Sequence, residues 1–271
     1  MRHWIFYMSA QYNISNHKNG NPSEALFYVL HVYLKLFDNR VFLQHGITKD
    51  DAPWLYYKNT HFRFFICGAK KEYEYIKSKF GYPSDRLIYT GFPRFDNLHD
   101  NNVNRKNILV MPTWRNWLGR VQNFLGDNQN FINTDFYKNW NCFLTDKKLI
   151  DFLENNDYYL YFYPHIEMQK FLDKFNSKSK NIKIVNLNTD IQTMLKESTL
   201  LITDYSSVYM DFAYMNKPII YFQFDYEEYR SKQYMEGYFN YVRDGFGKVI
   251  KEKDKLVDEI IRCSEDNFMV E

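Results

Sequence analysis

The chain has 271 residues, of which 45% are hydrophobic and 20% aromatic, which is enough apolar surface for packed cores and argues against disorder. Thirty-five basic and 33 acidic residues leave a formal charge of +2, too small to favour nucleic-acid binding. The widely spaced Cys67, Cys142 and Cys263 predict neither a disulfide framework nor a zinc site. Because single domains usually have ~100–150 residues, we expect two α/β domains that share a cleft.

The first hundred residues are predicted to alternate between helices and strands. A capping residue, a proline and a glutamate in sequence predict a helix over 21–37. Apolar runs predict three strands, at 41–43, 62–67 and 86–89. A stretch with helical spacing predicts a second helix at 69–80. His45 follows the first strand at its carboxyl end, where open α/β sheets bind ligands.

A polar, asparagine-rich segment at 100–107 is predicted to link a first domain at 1–100 to a second at 107–271. The second half contains short apolar strands separated by helices of ~8–12 residues, which is typical of a parallel, doubly wound sheet. The strands predicted in this half are 108–111, 158–163, 182–185, 200–203 and 218–222. A helix is predicted at 147–155.

The segment from Leu200 to Ala213 joins an apolar strand to a stretch with helical spacing. Thr203 and Asp204 end the strand, and Ser206 and Ser207 stand where the helix is predicted to begin, with Asp204 as its cap. Main-chain N–H groups at a helix start and nearby hydroxyls can bind a phosphate. The same pattern also fits a strand-to-helix turn in which these side chains only cap the main chain.

Three other strands end on side chains of the kind that phosphoryl transfer requires: His45, Arg115 and His165. Negative charge on the transferred group needs cations and hydrogen-bond donors, and the attacking hydroxyl needs a base. Histidine suits the base because an unperturbed imidazole titrates near neutral pH. Each of the three residues also fits a purely structural role, but together they favour an anion-binding cleft.

Five ordered motifs resemble those of the CDP-glycerol glycerophosphotransferase family: Gln44–Asp51, Gly91–Asp96, Pro112–Arg115, Pro164-His165, and Thr203–Ser207 with Lys217-Pro218 and Asp225. That family makes teichoic acids and related capsular polymers at the cytoplasmic face of the membrane. The resemblance implies an α/β, GT-B-like fold with two facing Rossmann-like domains and parallel sheets. The first domain is expected to be shortened, because about 100 residues leave no room for an opening strand–helix unit.

The resemblance also implies roles for individual residues. His45 matches the family's proposed base for the acceptor hydroxyl, His165 matches a histidine that hydrogen-bonds the donor phosphates, and Arg115 matches the arginine of the Pro-Thr-Trp-Arg segment. We group these three as catalytic and expect no metal site. The residues assigned to donor binding are Thr203, Asp204, Ser206, Ser207, Asp211, Asp225 and Arg94.

The function implied by the resemblance is transfer of glycerol phosphate or ribitol phosphate from a CDP-activated donor, without a cofactor. The acceptor is a hydroxyl of a lipid-linked teichoic acid or capsular polysaccharide, and CMP is released. No run of 18 apolar residues occurs, so we expect a peripheral protein that contacts anionic lipid at the inner face of the membrane. The residues at 47–49 differ from the Thr-Pro-Leu-Lys of well-known polymerases, so the polyol and the acceptor are not carried over.

Two other interpretations stay open at this point. A GT-B glycosyltransferase that uses a UDP- or GDP-sugar would need the same fold and the same anion-binding helix start, because fold does not fix chemistry. A non-catalytic module at the membrane surface would keep the fold and lose donor binding.

Overall fold

The computed structural model of the chain describes residues 10–18, 39–99, 106–119 and 131–270. The chain divides into two compact units, one formed by Met1–Asp96 with Met235–Phe239 and the other by Asn97–Tyr234 with Asn240–Glu271. The boundary therefore precedes the segment predicted as the linker, and the return of 235–239 to the first unit has no signal in the sequence. The helix predicted at 21–37 lies outside the described residues.

The first unit is built on a parallel sheet whose described strands have the order β1-β2-β3-β4. Its elements are β1 Asn13–Ser15, β2 Arg40–Phe42, α1 Tyr57–Thr60, β3 Phe64–Cys67, α2 Lys70–Lys79 and β4 Leu87–Tyr89. Strands β2, β3 and β4 and helix α2 confirm the predicted elements to within two residues at each end. Strand β1 is absent from the prediction because Asn-Ile-Ser contains a single apolar residue and no alternating pattern.

Aromatic side chains dominate the core of the first unit. Phe42 stacks on Phe62 with ring centroids 4.9 Å apart, and Phe65 meets Tyr82 edge-to-face at 5.1 Å. Helix α2 closes this core with Ile76, which is fully buried. The abundance of phenylalanine and tyrosine in this half of the chain is thus used for packing.

The second unit is built on a six-stranded parallel sheet with the order β10-β9-β8-β5-β6-β7. Its strands are β5 Asn107–Met111, β6 Tyr159–Phe162, β7 Ile182–Ile184, β8 Leu200–Thr203, β9 Ile219–Phe222 and β10 Gly247–Ile250. The chain runs outward from β5 through β6 to β7 and then returns to the other side of β5. The strand order therefore reverses between β5 and β8, and in open parallel sheets ligands bind at the carboxyl ends of the strands beside such a reversal.

Helices cover both faces of this sheet, which explains why β8 and β9 read as continuous apolar runs and are buried along their whole length. The helices of the unit are α3 Asn116–Gly119, α4 Asp135–Leu144, α5 Lys147–Asn155, α6 Ile191–Glu197, α7 Val208–Tyr214, α8 Tyr226–Lys232, α9 Tyr241–Asp244 and α10 Lys253–Glu265. Among the described residues, no helix combines the length and the apolar character that a bilayer span requires.

The segment Met235–Phe239 is held tightly against the first unit. The N–H of Asp51 donates to the main-chain oxygen of Met235 at 3.1 Å, and the ring of Tyr238 lies 5.2 Å from that of Tyr75. A Cβ atom on Gly237 would lie 2.3 Å from the main-chain oxygen of Lys49, so only glycine allows this approach.

Candidate active site

His45 lies in the first unit, just beyond the carboxyl end of β2, and its side chain is exposed. The preceding Gln44 has a φ of 62°, in the left-handed region, so the main chain turns sharply as it leaves the strand. The Nδ1 atom of His45 lies 3.1 Å from the main-chain oxygen of Asn16. Because that oxygen can only accept, Nδ1 carries the hydrogen of the neutral ring, and Nε2 keeps a lone pair that can accept a proton.

A cavity of about 430 Å³ opens beside His45. Its lining comes from the ends of β1 and β2 and from the loop after β4: Ile14, Ser15, Asn16, Leu43, Gln44, His45, Phe92, Pro93 and Arg94. Arg94 donates to the main-chain oxygen of His45, and its guanidinium lies 5.3 Å from the ring of Phe92. Arg94, which the sequence analysis groups with the donor-binding residues, is therefore part of the first unit and a direct neighbour of His45.

The loop that carries His45 is tied to a buried carboxylate on α2. Glu72 accepts hydrogen bonds from the main-chain N–H groups of Thr48 and Gly68, both at 2.6 Å, and from Nε2 of Gln44 at 3.0 Å. Gln44 is predicted only as the first residue of the Gln44–Asp51 motif, and Glu72 is not predicted at all, because a glutamate in the first turn of a helix is typically an ordinary solvated residue.

Arg115 occupies the centre of the second unit and has no exposed surface. Its guanidinium makes a two-pronged contact with Asp225, at 2.7 and 3.0 Å, and lies 2.9 Å from Oδ2 of Asp204. Burial alone would lower the pKa of Arg115, but the charges of Asp204 and Asp225 outweigh burial and raise it above its ordinary value. With its donors directed at these carboxylates and at the oxygen of Thr113, Arg115 joins the ends of strands.

Asp204 connects the ends of β8 and β5. Its Oδ1 atom accepts from the N–H groups of Tyr205 and Thr113, at 2.6 and 2.7 Å. The prediction that Asp204 caps the following helix is wrong, since α7 begins after Ser207 and no side chain caps it. The hydroxyl of Thr203 likewise points inward and donates to the main-chain oxygen of Met111 at 2.7 Å.

Several residues that are predicted to bind the donor are buried or already hydrogen-bonded within the second unit. Thr203 and Asp204 are fully buried and Asp211 is 6% exposed. Asp225 is committed to Arg115 and to the hydroxyl of Tyr205, which donates to it at 3.0 Å. Such residues can set the geometry of the strand ends without touching a ligand.

Other residues at the same edge of the sheet reach the surface. Ser206 and Ser207 are half-buried, and Oγ of Ser206 accepts weakly from the N–H of Val208 at 3.4 Å. His165 lies three residues beyond the end of β6 and is also half-buried, with Nδ1 accepting from the N–H of Glu167 at 3.3 Å. The hydrogen of its neutral ring is therefore on Nε2, the opposite tautomer to His45.

The ring of Trp114 stacks on that of His165 with centroids 6.0 Å apart and an angle of 22°. The side chain of Gln233 fixes the main chain around this tryptophan, accepting from the N–H of Asn116 at 2.9 Å and donating to the oxygen of Trp114 at 3.2 Å. Trp114 belongs to the predicted Pro112–Arg115 motif, but its stacking on His165 has no signal in the sequence. No group of three or more potential metal-binding side chains occurs within the described ranges.

Two units built on parallel sheets, each with a histidine at the end of a strand, define an α/β protein of the GT-B class. The chain belongs to the CDP-glycerol:poly(glycerophosphate) glycerophosphotransferase family, whose model matches residues 1–269.

Individual relatives give the same assignment. The chain is 32% identical over 281 aligned positions to the minor teichoic acid biosynthesis protein GgaB of Bacillus subtilis strain 168, covering all of this chain and 30% of GgaB. It is 26% identical to the teichoic acid glycerol-phosphate primase of the same strain, over 79% of this chain and 52% of the primase. The chain therefore spans about a third to a half of the length of these relatives.

Solved structures support the fold. The wall teichoic acid polymerase TagF superposes with a TM-score of 0.59 at 18% identity, covering 84% of this chain and 60% of TagF. A UDP-GlcNAc 2-epimerase of Methanocaldococcus jannaschii superposes with a TM-score of 0.56 at 14% identity, over 96% of this chain and 71% of the epimerase. At these identities the likeness confirms the predicted GT-B-like fold class and says nothing of substrates.

Proposed function

We propose that this chain transfers a polyol phosphate, glycerol phosphate or ribitol phosphate, from a CDP-activated donor to a hydroxyl of a teichoic acid acceptor. The observation that carries the proposal is the tautomer of His45, whose Nε2 atom is an acceptor because Nδ1 donates to Asn16. Membership of a glycerophosphotransferase family supports the reaction class. The relatives' names, which include both glycerol-phosphate and ribitol-phosphate polymerases, support the choice of donors.

In the proposed reaction, His45 Nε2 accepts the hydrogen of the acceptor hydroxyl as its oxygen attacks the phosphorus that bears the polyol. A new P–O bond forms, and the bond from that phosphorus to the bridging oxygen of the pyrophosphate breaks. CMP leaves with the electron pair, and the proton remains on the imidazole until it passes to solvent. A base of this kind contributes roughly 10²–10⁴-fold to the rate.

The cavity beside His45 is the proposed place for the acceptor end. Its polar lining can hydrogen-bond a polyol, and its apolar residues limit the access of water. Arg94, held between Phe92 and the oxygen of His45, supplies a cation for the phosphodiester of a polymer chain. We propose that the first unit serves the acceptor.

The second unit is proposed to hold the donor. Nε2–H of His165 and the hydroxyls of Ser206 and Ser207 are hydrogen-bond donors suited to a pyrophosphate. Arg115, Asp204 and Asp225 are proposed to act through these residues by fixing the strand ends. The proposed setting is the inner face of the membrane, with a lipid-linked acceptor.

CMP release by purified protein tests the proposal. We expect release from CDP-glycerol or CDP-ribitol only when a teichoic acid acceptor is present, and no release of UDP from UDP-GlcNAc under the same conditions. Release of UDP from the sugar nucleotide, with both CDP-polyols inert, would assign the chain to the glycosyltransferases. A chain that binds neither donor would be the non-catalytic module.

A further inference from the structure

A single buried carboxylate anchors the segment that presents His45. Glu72 stands in the first turn of α2 and is 0% exposed. It accepts from the N–H of Gly68 in the manner of a helix cap, and that contact alone would be purely structural. Glu72 also accepts from the N–H of Ala69, the residue that precedes α2. Two further donors, the N–H of Thr48 and the amide of Gln44, belong to the loop that follows β2 and have no role in capping α2.

These two contacts hold the His45 loop at both of its ends. His45, Gly46 and Ile47 lie between Gln44 and Thr48, so the carboxylate contacts the residue before the candidate base and the third residue after it. The hold is reinforced, because Nε2 of Gln44 also donates to the oxygen of Ile66 at 2.7 Å and the hydroxyl of Thr48 donates to Oε1 of Gln44. With Gln44 in the left-handed region, few other arrangements of this loop are available.

We propose that Glu72 is a positioning residue that fixes the direction of the His45 imidazole, and that its ionised form is the form that holds the loop. The catalytic part of this inference rests on the function proposed above. A base acts only within hydrogen-bond reach of its proton, so a loop that drifts by 1 Å costs about 10²-fold in rate.

The chemistry of the donors around Glu72 explains why ionisation matters. A carboxylate is an acceptor only, whereas a protonated carboxyl has a hydrogen of its own that must face one of these N–H groups. Burial raises the pKa of Glu72 to about 7, although the hydrogen bonds from Thr48, Gly68 and Gln44 lower it. The carboxyl therefore changes charge in the same pH range in which an ordinary imidazole does.

Few other ionisable groups surround this carboxyl. On β3 the Cys67 thiol is buried, and both burial and Glu72 raise its pKa. In the loop from 44 to 48 the sole ionisable side chain is His45, and β4 ends in the exposed Tyr89. Two further charged or titratable groups face His45 itself: the ring of His17, whose centroid lies 5.4 Å away, and Arg94, which donates to the main-chain oxygen of His45.

The test compares wild type with Glu72→Gln, in which the side chain keeps its shape, loses the charge and turns an N–H toward the donors. Glu74→Gln, an exposed residue on the same helix, is the matched control. We expect Glu72→Gln to lower kcat for CMP release at pH 8 by about tenfold or more and to change KM for the CDP-polyol by less than about twofold. Below pH 7, log kcat should fall more steeply in wild type than in Glu72→Gln, because only wild type has the Glu72 carboxyl to protonate.

A second measurement does not depend on catalysis. The ring signals of His45, assigned with His45→Asn, are followed by NMR from pH 5 to 9. An inflection caused by Glu72, whose pKa is raised to about 7, is expected in wild type and in Glu74→Gln and should be absent from Glu72→Gln, whereas any inflection caused by His17 is common to all three proteins. Identical titrations in all three would overturn the positioning role even if CMP release is observed.

Wild-type protein that gives the inflection caused by Glu72 but releases no CMP would instead count against the proposed function and leave Glu72 in place. If Glu72→Gln does not fold, Thr48→Val takes its place, because it removes the hydroxyl that orients Gln44 and leaves Glu72 intact. Thr48→Val should lower kcat about threefold or more at unchanged KM. A wild-type kcat for this variant would refute the inference.

Discussion

The imidazole of His45 donates to the main-chain oxygen of Asn16 across 3.1 Å, and this one contact decides which ring nitrogen can act as a base. His165 is held in the opposite sense, because its Nδ1 accepts from a main-chain N–H. Nε2 of His45 is therefore a hydrogen-bond acceptor, whereas Nε2 of His165 is a hydrogen-bond donor. Proton transfer from a hydroxyl needs the first, and binding of a phosphate needs the second.

Replacing His45 by asparagine isolates the base. The amide of asparagine can still donate to Asn16, but it cannot accept a proton, so CMP release should fall roughly 10²–10⁴-fold with little change in stability. His61→Asn is the control, because His61 has a φ of 47°, which asparagine tolerates. A His45→Asn protein with the wild-type rate would remove His45 from the chemistry.

Arg115 gives the clearest stability prediction. Arg115→Met leaves Asp204 and Asp225 buried without their counter-charge, so the free energy of unfolding should fall by about 3–5 kcal/mol, measured by urea denaturation. Lys147→Met removes an ion pair with Asp151 in which both side chains are more than half exposed, and should cost less than about 1 kcal/mol. Loss of activity by Arg115→Met at unchanged stability would instead mean that this arginine touches the substrate.

The buried carboxyl on α2 predicts a pH dependence of stability. The pKa of Glu72 is about 7 in the folded protein, above its usual value near 4.5, so the native state favours the protonated form. The stability that the protonated carboxyl contributes is therefore complete below pH 4.5 and is lost as the pH rises through 7, because burial penalises the carboxylate more than its hydrogen bonds to the His45 loop favour it. Relative to Glu72→Gln, wild type should lose about 3 kcal/mol of unfolding free energy between pH 4 and 9. A constant difference across this range would contradict the raised pKa.

Donor binding by the second unit is measurable without an acceptor. CDP-glycerol at about 100 times its Kd should stabilise the native state by about 2.7 kcal/mol and raise the melting temperature by several degrees. Ser206→Ala and Ser207→Ala together should reduce this shift, because they remove two hydroxyl donors at the end of β8. Ser264→Ala, on a helix away from that edge, is the control, and an undiminished shift in the double variant would exclude these serines from the site.

Close contact at Gly237 predicts that Gly237→Ala is destabilising. The added methyl group would meet the main-chain oxygen of Lys49 at 2.3 Å, and relieving that overlap should cost about 1–3 kcal/mol in urea denaturation. An alanine variant as stable as wild type would show that the 235–239 segment can shift without loss.

The sequence predicts the parts of this fold that have strong local patterns. A continuous apolar run such as Leu200–Thr203 predicts a buried parallel strand. The capping residue, the spacing of apolar residues and the length of the segment 147–155 predict a helix. Strand β1 has three residues and becomes a strand only by pairing with β2, so its cause is tertiary. For the same reason the roles of Asn16 and Glu72 are invisible, since each depends on a partner 24 or more positions away.

Burial explains the remaining differences at the site. Motif residues are recognised by identity, and identity does not say whether a side chain faces the ligand or the core. Arg115 and Asp204 match a family motif as well as His45 does, yet they are fully buried and His45 is exposed. The family motifs therefore contain two kinds of residue: exposed side chains such as His45, and buried side chains such as Arg115 and Asp204 that pack beneath the strand ends.

Because residues 235–239 return to the first unit, that unit is formed by two segments that are far apart in the sequence. A fragment that stops after Asp96 would lack the segment 235–239, which packs on the main chain of Lys49 and pairs with the N–H of Asp51. The main-chain groups of Lys49 and Asp51 would then be available to a neighbouring molecule. A single proteolytic cut near Tyr234 would likewise loosen a part of the protein that lies more than a hundred positions earlier in the chain.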